Sequence, residues 1–212
     1  MADGLRERKK RQTRQRLSAV ATRLFVERGF AQVTIAEVAA AAEVSVNTVY
    51  NYFEAKEDLV LPPDEASPTR IAEIVRQRVP GQSAAGALLS QLRDEVRRRD
   101  RKLGLTEGFA PVLEMMRATP TLSARLEELG RQMTNRLADL LVEETGAGQD
   151  DPVPRVVAWQ LGCLHSLVFA EIGKRTTAGE GPEAIAEAVL ALLDIVESLL
   201  SEQVLSYAVR KG

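Results

Sequence analysis

The stretch VSVNTVYNYFEAKEDL, residues 44–59, gathers the side chains of this sequence that are best suited to bind a charged and flat molecule. The chain has nine aromatic residues, and three of them, Tyr50, Tyr52 and Phe53, fall within four positions here. Hydroxyl, amide and ammonium groups lie beside them in the sequence. A core strand would carry the rings without the polar groups, and a solvated loop would carry the reverse. The mixture therefore indicates a surface on which ring bodies pack while polar tips point outward.

Two helix-start signals predict how these residues are positioned. Thr34 followed by Glu37 is the signature of a capping box, and Ser45 starts a second short helix by the same type of cap. Both follow a longer helix with an apolar stripe at helical spacing. The stripe consists of Leu17, Val20, Ala21, Leu24 and Phe25. Two short helices joined by a tight turn after a supporting helix predict a helix-turn-helix.

In this arrangement the second short helix has an inner and an outer face. Val49 and Phe53, four residues apart, face inward. The outer face carries Val46, Asn47, Thr48, Tyr50 and Tyr52. An α-helix fits the major groove of B-DNA, where Asn can pair with adenine and methyl groups can contact thymine. Hydroxyl groups and the Lys56 ammonium suit phosphate oxygens, so the sequence predicts binding to double-stranded DNA.

The charge distribution agrees with this interpretation. Residues 1–32 hold nine Lys and Arg against three acidic residues, a net charge of +6, whereas the whole chain carries −2. The remainder is therefore at −8. A basic end attached to an acidic body favours contact with a polyanion through that end. A solvated tail is the alternative explanation for the charge run taken by itself.

Composition argues against several other classes of protein. The single cysteine, Cys163, forms no internal disulfide, and a chain with one Cys and one His offers no metal cluster. Cys163 and His165 are two residues apart on a predicted helix and point in different directions, which argues against an enzyme. The longest uncharged stretch, 156–170, is shorter than a membrane span. We expect a cytoplasmic protein that is not an enzyme and needs no cofactor.

The remaining sequence predicts an all-α protein of about nine helices. Beyond the helix-turn-helix, helical patterns and cap signals predict helices near 68–78, 83–102, 107–118, 120–145, 152–175 and 182–208. We expect two domains: residues 1–55, a helix-turn-helix with a basic N-terminal arm, and residues 56–212, a larger helical domain. Pro62 and Pro63 are expected to end a short helix that starts near Lys56.

The segment TIAEVAAAAEVSVNTVYNYFEAKEDL, residues 34–59, closely resembles the DNA-binding signature of the TetR family of bacterial transcriptional repressors. The resemblance covers roughly residues 10–60. It departs from the family at Glu43, where a glycine is usual in the turn. A left-handed residue there would cost roughly 1–2 kcal/mol, and a different turn geometry is the alternative. Carried over by position, the resemblance implies DNA contact at Thr34, Ser45, Val46, Asn47, Thr48, Tyr50, Tyr52 and Lys56.

The resemblance also implies a homodimer formed through the last two long helices and a pocket for a small-molecule effector. Pocket candidates are Phe109, Leu113, Met116, Trp159, Cys163, Ser166 and Phe169, and ordinary core residues are the alternative. The scarcity of polar neighbours predicts an apolar or acyl-type effector. An anionic head group could be held by Arg97, Arg98, Arg99, Arg101 and Lys102, unless these form a solvated helix face. A repressor is the expected function; an activator and a ligand carrier that does not bind DNA are the alternatives.

Overall fold

The computed structural model describes residues 2–61, 67–148 and 150–211, with side chains from Arg8 onward. Over these ranges the chain is helical and contains no β-strand, which confirms the predicted fold class. The ten α-helices of the described residues are α1 Ala2–Arg28, α2 Ile35–Ala41, α3 Val46–Tyr50, α4 Arg70–Arg76, α5 Ala84–Arg97, α6 Ala110–Ala118, α7 Pro120–Thr145, α8 Val153–Thr177, α9 Pro182–Leu199 and α10 Glu202–Leu205.

The predicted helix boundaries agree best where a cap or a proline marks the start. The α7 helix has the predicted bounds, and α8 differs from its prediction by one residue at the start and two at the end. The predicted helix 182–208 is wrong in its last third, because Leu200 is extended and Ser201 caps a new helix. Near Lys56 a 3₁₀ turn, Glu57–Leu59, replaces the expected short helix. Pro62 and Pro63 lie outside the described residues.

The chain divides into two compact units. The first comprises Met1–Ser67 and Pro111–Leu126, and the second comprises Pro68–Ala110 and Glu127–Gly212. The first unit holds all the residues predicted to contact DNA, together with most of α6 and the start of α7. The predicted functional boundary after residue 55 stays a prediction.

The core of the first unit is built from the predicted stripe of α1. Leu17, Ala21 and Phe25 are fully buried, and Val49 and Phe53 are buried with them at 1% and 2% exposure. The inward face predicted for α3 is therefore confirmed. Packing of an apolar stripe of this kind supplies most of the stability of short helices, which are marginal in water by themselves.

A buried arginine connects several segments of the second unit. Arg78 is 5% exposed and its guanidinium forms a two-point ion pair with Glu144, with N···O distances of 2.5 and 3.2 Å. The same group donates to the carbonyls of Val75, Gln82 and Ala208. Since an unpaired buried charge costs several kcal/mol, this satisfied set fixes the C-terminal segment against the helix that precedes α5.

The α8 helix is 25 residues long and has an uncharged central stretch. Gly162 lets it approach α7 closely, because a Cβ at that position would overlap the side chain of Thr134. By length and composition α8 passes the test for a membrane span, but 44% of its most apolar window is buried inside the protein. Its apolar character therefore has a structural explanation, which is packing on one side.

His165 lies on α8 in the second unit, with its ring 4.9 Å from that of Phe169. Burial, which is the larger cause, and the positive charge of nearby Arg70 together lower the pKa of this histidine from 6.5 to about 4. The ring is therefore neutral in the folded protein at pH 7.

We expect the free energy of unfolding to fall as the pH is lowered from 7 to 5. The pKa of His165 is lower in the folded than in the unfolded chain, so the unfolded chain takes up the proton first and is favoured as the pH drops below 6.5. At pH 5 the loss is about 2 kcal/mol, since one pKa unit corresponds to about 1.4 kcal/mol. Denaturant titrations at both pH values measure it. His165→Gln should lack this part of the loss; an equal loss in the variant would contradict the assignment.

Candidate DNA-binding site

The start of α2 is fixed by the predicted capping box. The Thr34 hydroxyl accepts from the backbone N–H of Glu37 at 3.2 Å, and the Glu37 carboxylate accepts from the backbone N–H of Thr34 at 2.8 Å. Arg28 at the end of α1 donates to the other carboxylate oxygen at 2.5 Å. These bonds lower the pKa of Glu37 to about 2, with the Thr34 backbone bond as the largest cause. Glu37 is therefore ionised at neutral pH and connects α1 to α2.

The turn between α2 and α3 has the left-handed geometry for which glycine is the usual choice. Glu43 has a φ of 54°, one of the positive values among non-glycine residues. Its N–H donates to Ala40 and the N–H of Val44 donates to Ala39, at 3.1 and 2.9 Å. This pair of bonds is the Schellman motif that ends many helices. The chain therefore accepts a strained residue to obtain the tight turn.

Ser45 then starts α3. Its hydroxyl accepts from the backbone N–H of Thr48 at 3.0 Å and forms a hydrogen bond with the Thr48 hydroxyl at 2.8 Å. The Ser45 and Thr48 hydroxyls could still accept further hydrogen bonds. Both already take part in the hydrogen bonds that stabilise the first turn of α3. The helix has only five residues, so its orientation depends on this cap and on the burial of Val49.

Three of the five residues predicted on the outward face of α3 are exposed. Val46 and Asn47 are exposed at the start of the helix, and Tyr50 is 56% exposed at its end. Thr48 and Tyr52 are half-buried. The first turn of the helix and one phenol are therefore accessible to a partner, and the contact of these residues with DNA stays a prediction.

Lys56 has a role that the sequence did not indicate. Its ammonium donates to the carbonyl of Phe30 at 2.5 Å and lies 4.4 Å from the centre of the Phe30 ring and 5.4 Å from that of Phe25. Both distances are typical of cation–π interactions. Burial lowers the pKa of this ammonium below its ordinary value. The Lys56 ammonium, which was predicted to contact a phosphate, thus interacts mainly with residues of the first unit. These interactions fix the segment after α3.

Two groups of basic residues on α1 differ in their surroundings. Arg14 packs its guanidinium 5.3 Å from the ring centre of Phe53, and Arg16 donates to the carbonyl of Ala42 at 3.0 Å, so both support the helix-turn-helix. The exposed group at the start of the described side chains consists of Arg8, Lys9, Lys10 and Arg11. A helix thus presents four adjacent cations in solvent, which is a suitable arrangement for phosphates.

The predicted pocket residues fall in both units. Leu113 and Met116 belong to the first unit, where Met116 is buried and Leu113 half-buried. Phe109 belongs to the second unit, and its ring packs on Gly104, where an added Cβ would lie only 2.5 Å away. Gly104 has a φ of 77°, which also favours glycine. Phe109 therefore has a structural contact of its own.

The other four candidates lie on α8. Trp159 is 65% exposed, Cys163 and Ser166 are exposed, and Phe169 is half-buried. The first three are thus on the surface of the single chain and not in an enclosed space. A contribution of the seven residues to one ligand pocket stays a prediction.

The basic run 97–102 lies at the end of α5 and in the turn that follows. Arg97 and Arg99 form surface ion pairs with Asp94 and Glu183, at 3.4 and 3.7 Å. Pairs of this kind contribute about 0–1 kcal/mol. The exposed members are Arg97, Arg98, Arg99 and Arg101, and Lys102 is half-buried. Binding of an anionic head group by this run stays a prediction.

Comparison with known proteins gives a consistent result. Residues 17–61 match the family described as bacterial regulatory proteins, tetR family. The sequence is 30% identical over 172 residues to the HTH-type transcriptional regulator TcmR of Streptomyces glaucescens, a match that covers 79% of this chain and 76% of TcmR.

Solved structures show the same fold at lower sequence identity. The chain is similar to SmeT, solved as a triclosan complex, with a TM-score of 0.54, 18% identity and coverage of 91% of this chain and 94% of SmeT. It is also similar to NalD, the secondary repressor of the MexAB-OprM multidrug efflux pump in Pseudomonas aeruginosa. That match has a TM-score of 0.50 and 20% identity, and covers 87% of this chain and 96% of NalD.

We expect Glu43→Gly to stabilise the protein and Glu43→Ala not to do so. Both substitutions remove the carboxylate, but only glycine removes the Cβ that makes the left-handed conformation unfavourable. The glycine variant should exceed the alanine variant by about 1 kcal/mol in free energy of unfolding. Denaturant titration of the full chain measures the difference. A glycine variant no more stable than the alanine variant would rule out strain at this turn.

Proposed function

The chain belongs to the tetR family of bacterial regulatory proteins, and from this premise we propose that it is a homodimeric, cytoplasmic repressor released from its operator by a small-molecule effector. The observation that carries the proposal is the orientation of α3. Val49 and Phe53 are buried on one side of it, while Val46, Asn47 and Tyr50 are exposed on the other.

Exposed residues at the start of α3 are suited to direct readout in the major groove. The Asn47 amide can form two hydrogen bonds with adenine, and the Val46 methyl groups can contact the methyl group of thymine. The phenol of Tyr50, one turn further on, can donate to a phosphate. Asn47 therefore determines base preference in this proposal, whereas Tyr50 contributes mainly affinity.

The four exposed cations of α1 supply the electrostatic part of binding. Arg8, Lys9, Lys10 and Arg11 form no ion pair within the described residues, and the arm that contains them is positive overall. Each phosphate neutralised by such a group releases counterions, so affinity should fall steeply with salt concentration. A carrier that does not bind DNA would show no such dependence.

A second copy of the chain is proposed to cover one face of α8 and α9. The exposed large apolar side chains of these helices are Val153, Val156, Trp159, Leu167, Ile195 and Leu199. Those on α8 lie within one third of the helix circumference. A large contiguous apolar patch marks an interaction surface, and a two-fold dimer is the commonest way to bury the same patch on identical chains. A dimer also supplies two α3 helices, one for each half-site of an operator.

The α7 helix offers a route from effector to α3, because it belongs to both units. Arg125, in its second turn, donates to the buried Asp58 at 2.8 Å, and Asp58 accepts from the backbone N–H of Ala55 at 3.0 Å. A shift of α7 would therefore move the segment that follows α3. An effector produces such a shift only if it binds one state more tightly than the other.

The proposal also includes the type of effector and whether the protein represses or activates transcription. An apolar or acyl-type effector remains the expectation from the sequence. The same DNA contacts would serve an activator, since they determine where the protein binds and not what it does to transcription. A reporter gene under the selected operator separates the two: deletion of the regulator should raise expression, and a fall would identify an activator.

We expect Tyr50→Phe to weaken binding to a duplex selected by the wild-type protein from a random pool. Loss of one hydrogen bond to a charged phosphate should reduce affinity roughly tenfold. The salt dependence should not change, because the phenol is neutral. Titration by fluorescence anisotropy at several salt concentrations measures both quantities.

Two further variants make this experiment specific. Tyr207→Phe removes the same hydroxyl from the second unit and should bind like the wild type. Lys56→Ala should lower the stability of the protein together with its affinity, because its ammonium interacts with two rings of the core. Wild-type affinity in Tyr50→Phe would remove Tyr50 from the DNA contacts.

We expect the wild-type protein to sediment as a dimer of its 23.2 kDa chain, and a variant with Trp159→Glu and Leu199→Glu to sediment as a monomer. These residues are 65% and 79% exposed in the single chain, and two carboxylates would be buried without partners in the dimer. Analytical ultracentrifugation measures the mass. Val79→Glu, an exposed valine elsewhere in the second unit, is the matched control. A dimeric double variant or a monomeric wild type would contradict the proposed interface.

A further inference from the structure

Arg14 on α1 carries a guanidinium that has no acceptor in the part of the chain that the structure describes. The residue is half-buried, and its Nε is buried without a hydrogen-bond partner. Neither terminal nitrogen forms a hydrogen bond or an ion pair with the described residues. The group packs instead on the ring of Phe53, whose centre lies 5.3 Å from Cζ. A positive charge is thus held against an aromatic ring with its donors unused.

Other arginines that are shielded from solvent have carboxylate partners. Arg78 is paired with Glu144 at 2.5 Å, and Arg93 is paired with Asp194 at 2.6 Å. Such partners are the rule, because shielding a charged donor from water is unfavourable unless an acceptor replaces the water. The ring of Phe53 compensates for part of this loss at Arg14, but a ring does not replace an acceptor. The guanidinium of Arg14 therefore points to an anion supplied by another molecule.

The terminal nitrogens of Arg14 can be reached by such an anion. Nη1 and Nη2 have no partner among the described residues, but unlike Nε they are not buried, so they lie at the surface. The N–H groups of a guanidinium form a planar fork that fits two oxygens of one phosphate. Because the Phe53 ring supports the guanidinium, the fork is oriented before an anion binds, which reduces the entropic cost of the contact.

Arg14 lies at the edge of the core of the first unit. Leu17 and Ser18, both buried, follow it by one turn on the same face of α1. Lys10 and Arg11, both exposed, precede it by one turn on that face. Along this face α1 therefore passes from buried core residues, through one half-buried cation, to two cations in solvent.

The ring beneath Arg14 belongs to the turn that ends α3. The N–H of Phe53 donates to the carbonyl of Val49, inside α3, at 3.0 Å. The guanidinium thus lies beside the C-terminal end of α3, where Tyr50 is 56% exposed. A helix in the major groove has a phosphate backbone on each side, because the groove is only about 12 Å wide. A cation beside the end of α3 is therefore suited to the backbone and not to base edges.

We propose that Arg14 binds a backbone phosphate of operator DNA, a contact that the sequence assigned to Lys56. The inference rests on the proposed function, because it adds a contact to the same site. The Lys56 ammonium donates to the carbonyl of Phe30 at 2.5 Å, whereas Arg14 has no acceptor among the described residues. Arg14 also extends the exposed cations of α1 toward α3, so that one face of α1 follows the DNA backbone.

Substitutions at Arg14 test this contact on the duplex selected by the wild-type protein. Arg14→Gln should reduce affinity roughly tenfold and make the slope of log affinity against log salt concentration shallower by about 0.9, the value for one phosphate. Arg14→Lys retains the charge and should retain the slope. Arg23→Gln is the matched control, because Arg23 is exposed on the opposite side of α1 and its loss should change neither quantity. Fluorescence anisotropy at several salt concentrations measures both.

A second measurement separates a phosphate contact from a purely structural role. Neutral methylphosphonate groups, placed one at a time in the operator backbone, remove the charge of single phosphates. At the phosphate that Arg14 contacts, this change should weaken the wild type roughly tenfold and Arg14→Gln less than twofold. A structural role would weaken binding to every such duplex by the same factor.

Three results would overturn the proposal. They are a folded Arg14→Gln with wild-type affinity and slope, an Arg14→Lys whose slope falls as far as that of Arg14→Gln, and a methylphosphonate series in which no position is coupled to Arg14. Circular dichroism shows whether the variants are folded. Arg14→Met, whose unbranched side chain can still cover Phe53, replaces Arg14→Gln if that variant does not fold, with the same expected results.

Failure of this contact is distinguishable from failure of the proposed function. The wild-type protein is titrated in the same series, so operator binding by the wild type with no effect at Arg14 would remove only the phosphate contact. A wild-type protein that binds no duplex would remove the proposed function and this contact together.

Discussion

The burial of Val49 and Phe53 in the core of the first unit is the constraint on which the DNA-binding unit depends. A five-residue helix is not stable by itself. Its position is therefore determined by the burial of Val49 and Phe53. Arg14 over Phe53 and Lys56 over Phe30 place cations against the same aromatic core. Because the inner face is fixed in this way, the outer face has a defined direction, which is what recognition of base edges requires.

The polar contacts around this core determine geometry more than they add stability. The Thr34 capping box and the Ser45 cap set where α2 and α3 begin, and the left-handed Glu43 sets the angle between them. Glu43 is the exception to local preference in this unit. A chain that accepts roughly 1–2 kcal/mol of strain at one residue shows that the turn geometry matters more than the optimal residue at that position.

The second unit combines a buried arginine whose donors all have acceptors with a buried carboxylate oxygen that has no donor among the described residues and with an exposed apolar face. Arg78 has an acceptor for each of its donor nitrogens, whereas Glu95 retains an oxygen without a donor. On the outside, α8 and α9 expose large apolar side chains such as Trp159. The exposed apolar side chains of α8 and α9 are the surface that the proposed dimer would cover.

The sequence by itself determined the features that depend on neighbours a few residues away: the all-helical class, the caps at Thr34 and Ser45, the stripe of α1, and the inward position of Val49 and Phe53. Such signals act within one or two helical turns, so they can be recognised without a fold. Only the tertiary structure decided that the Lys56 ammonium turns toward Phe30, that Trp159 is exposed, and that Glu95 retains an oxygen without a donor. Those outcomes depend on residues about 25 or more positions apart, or on which face of a long helix is covered, and no local pattern encodes that.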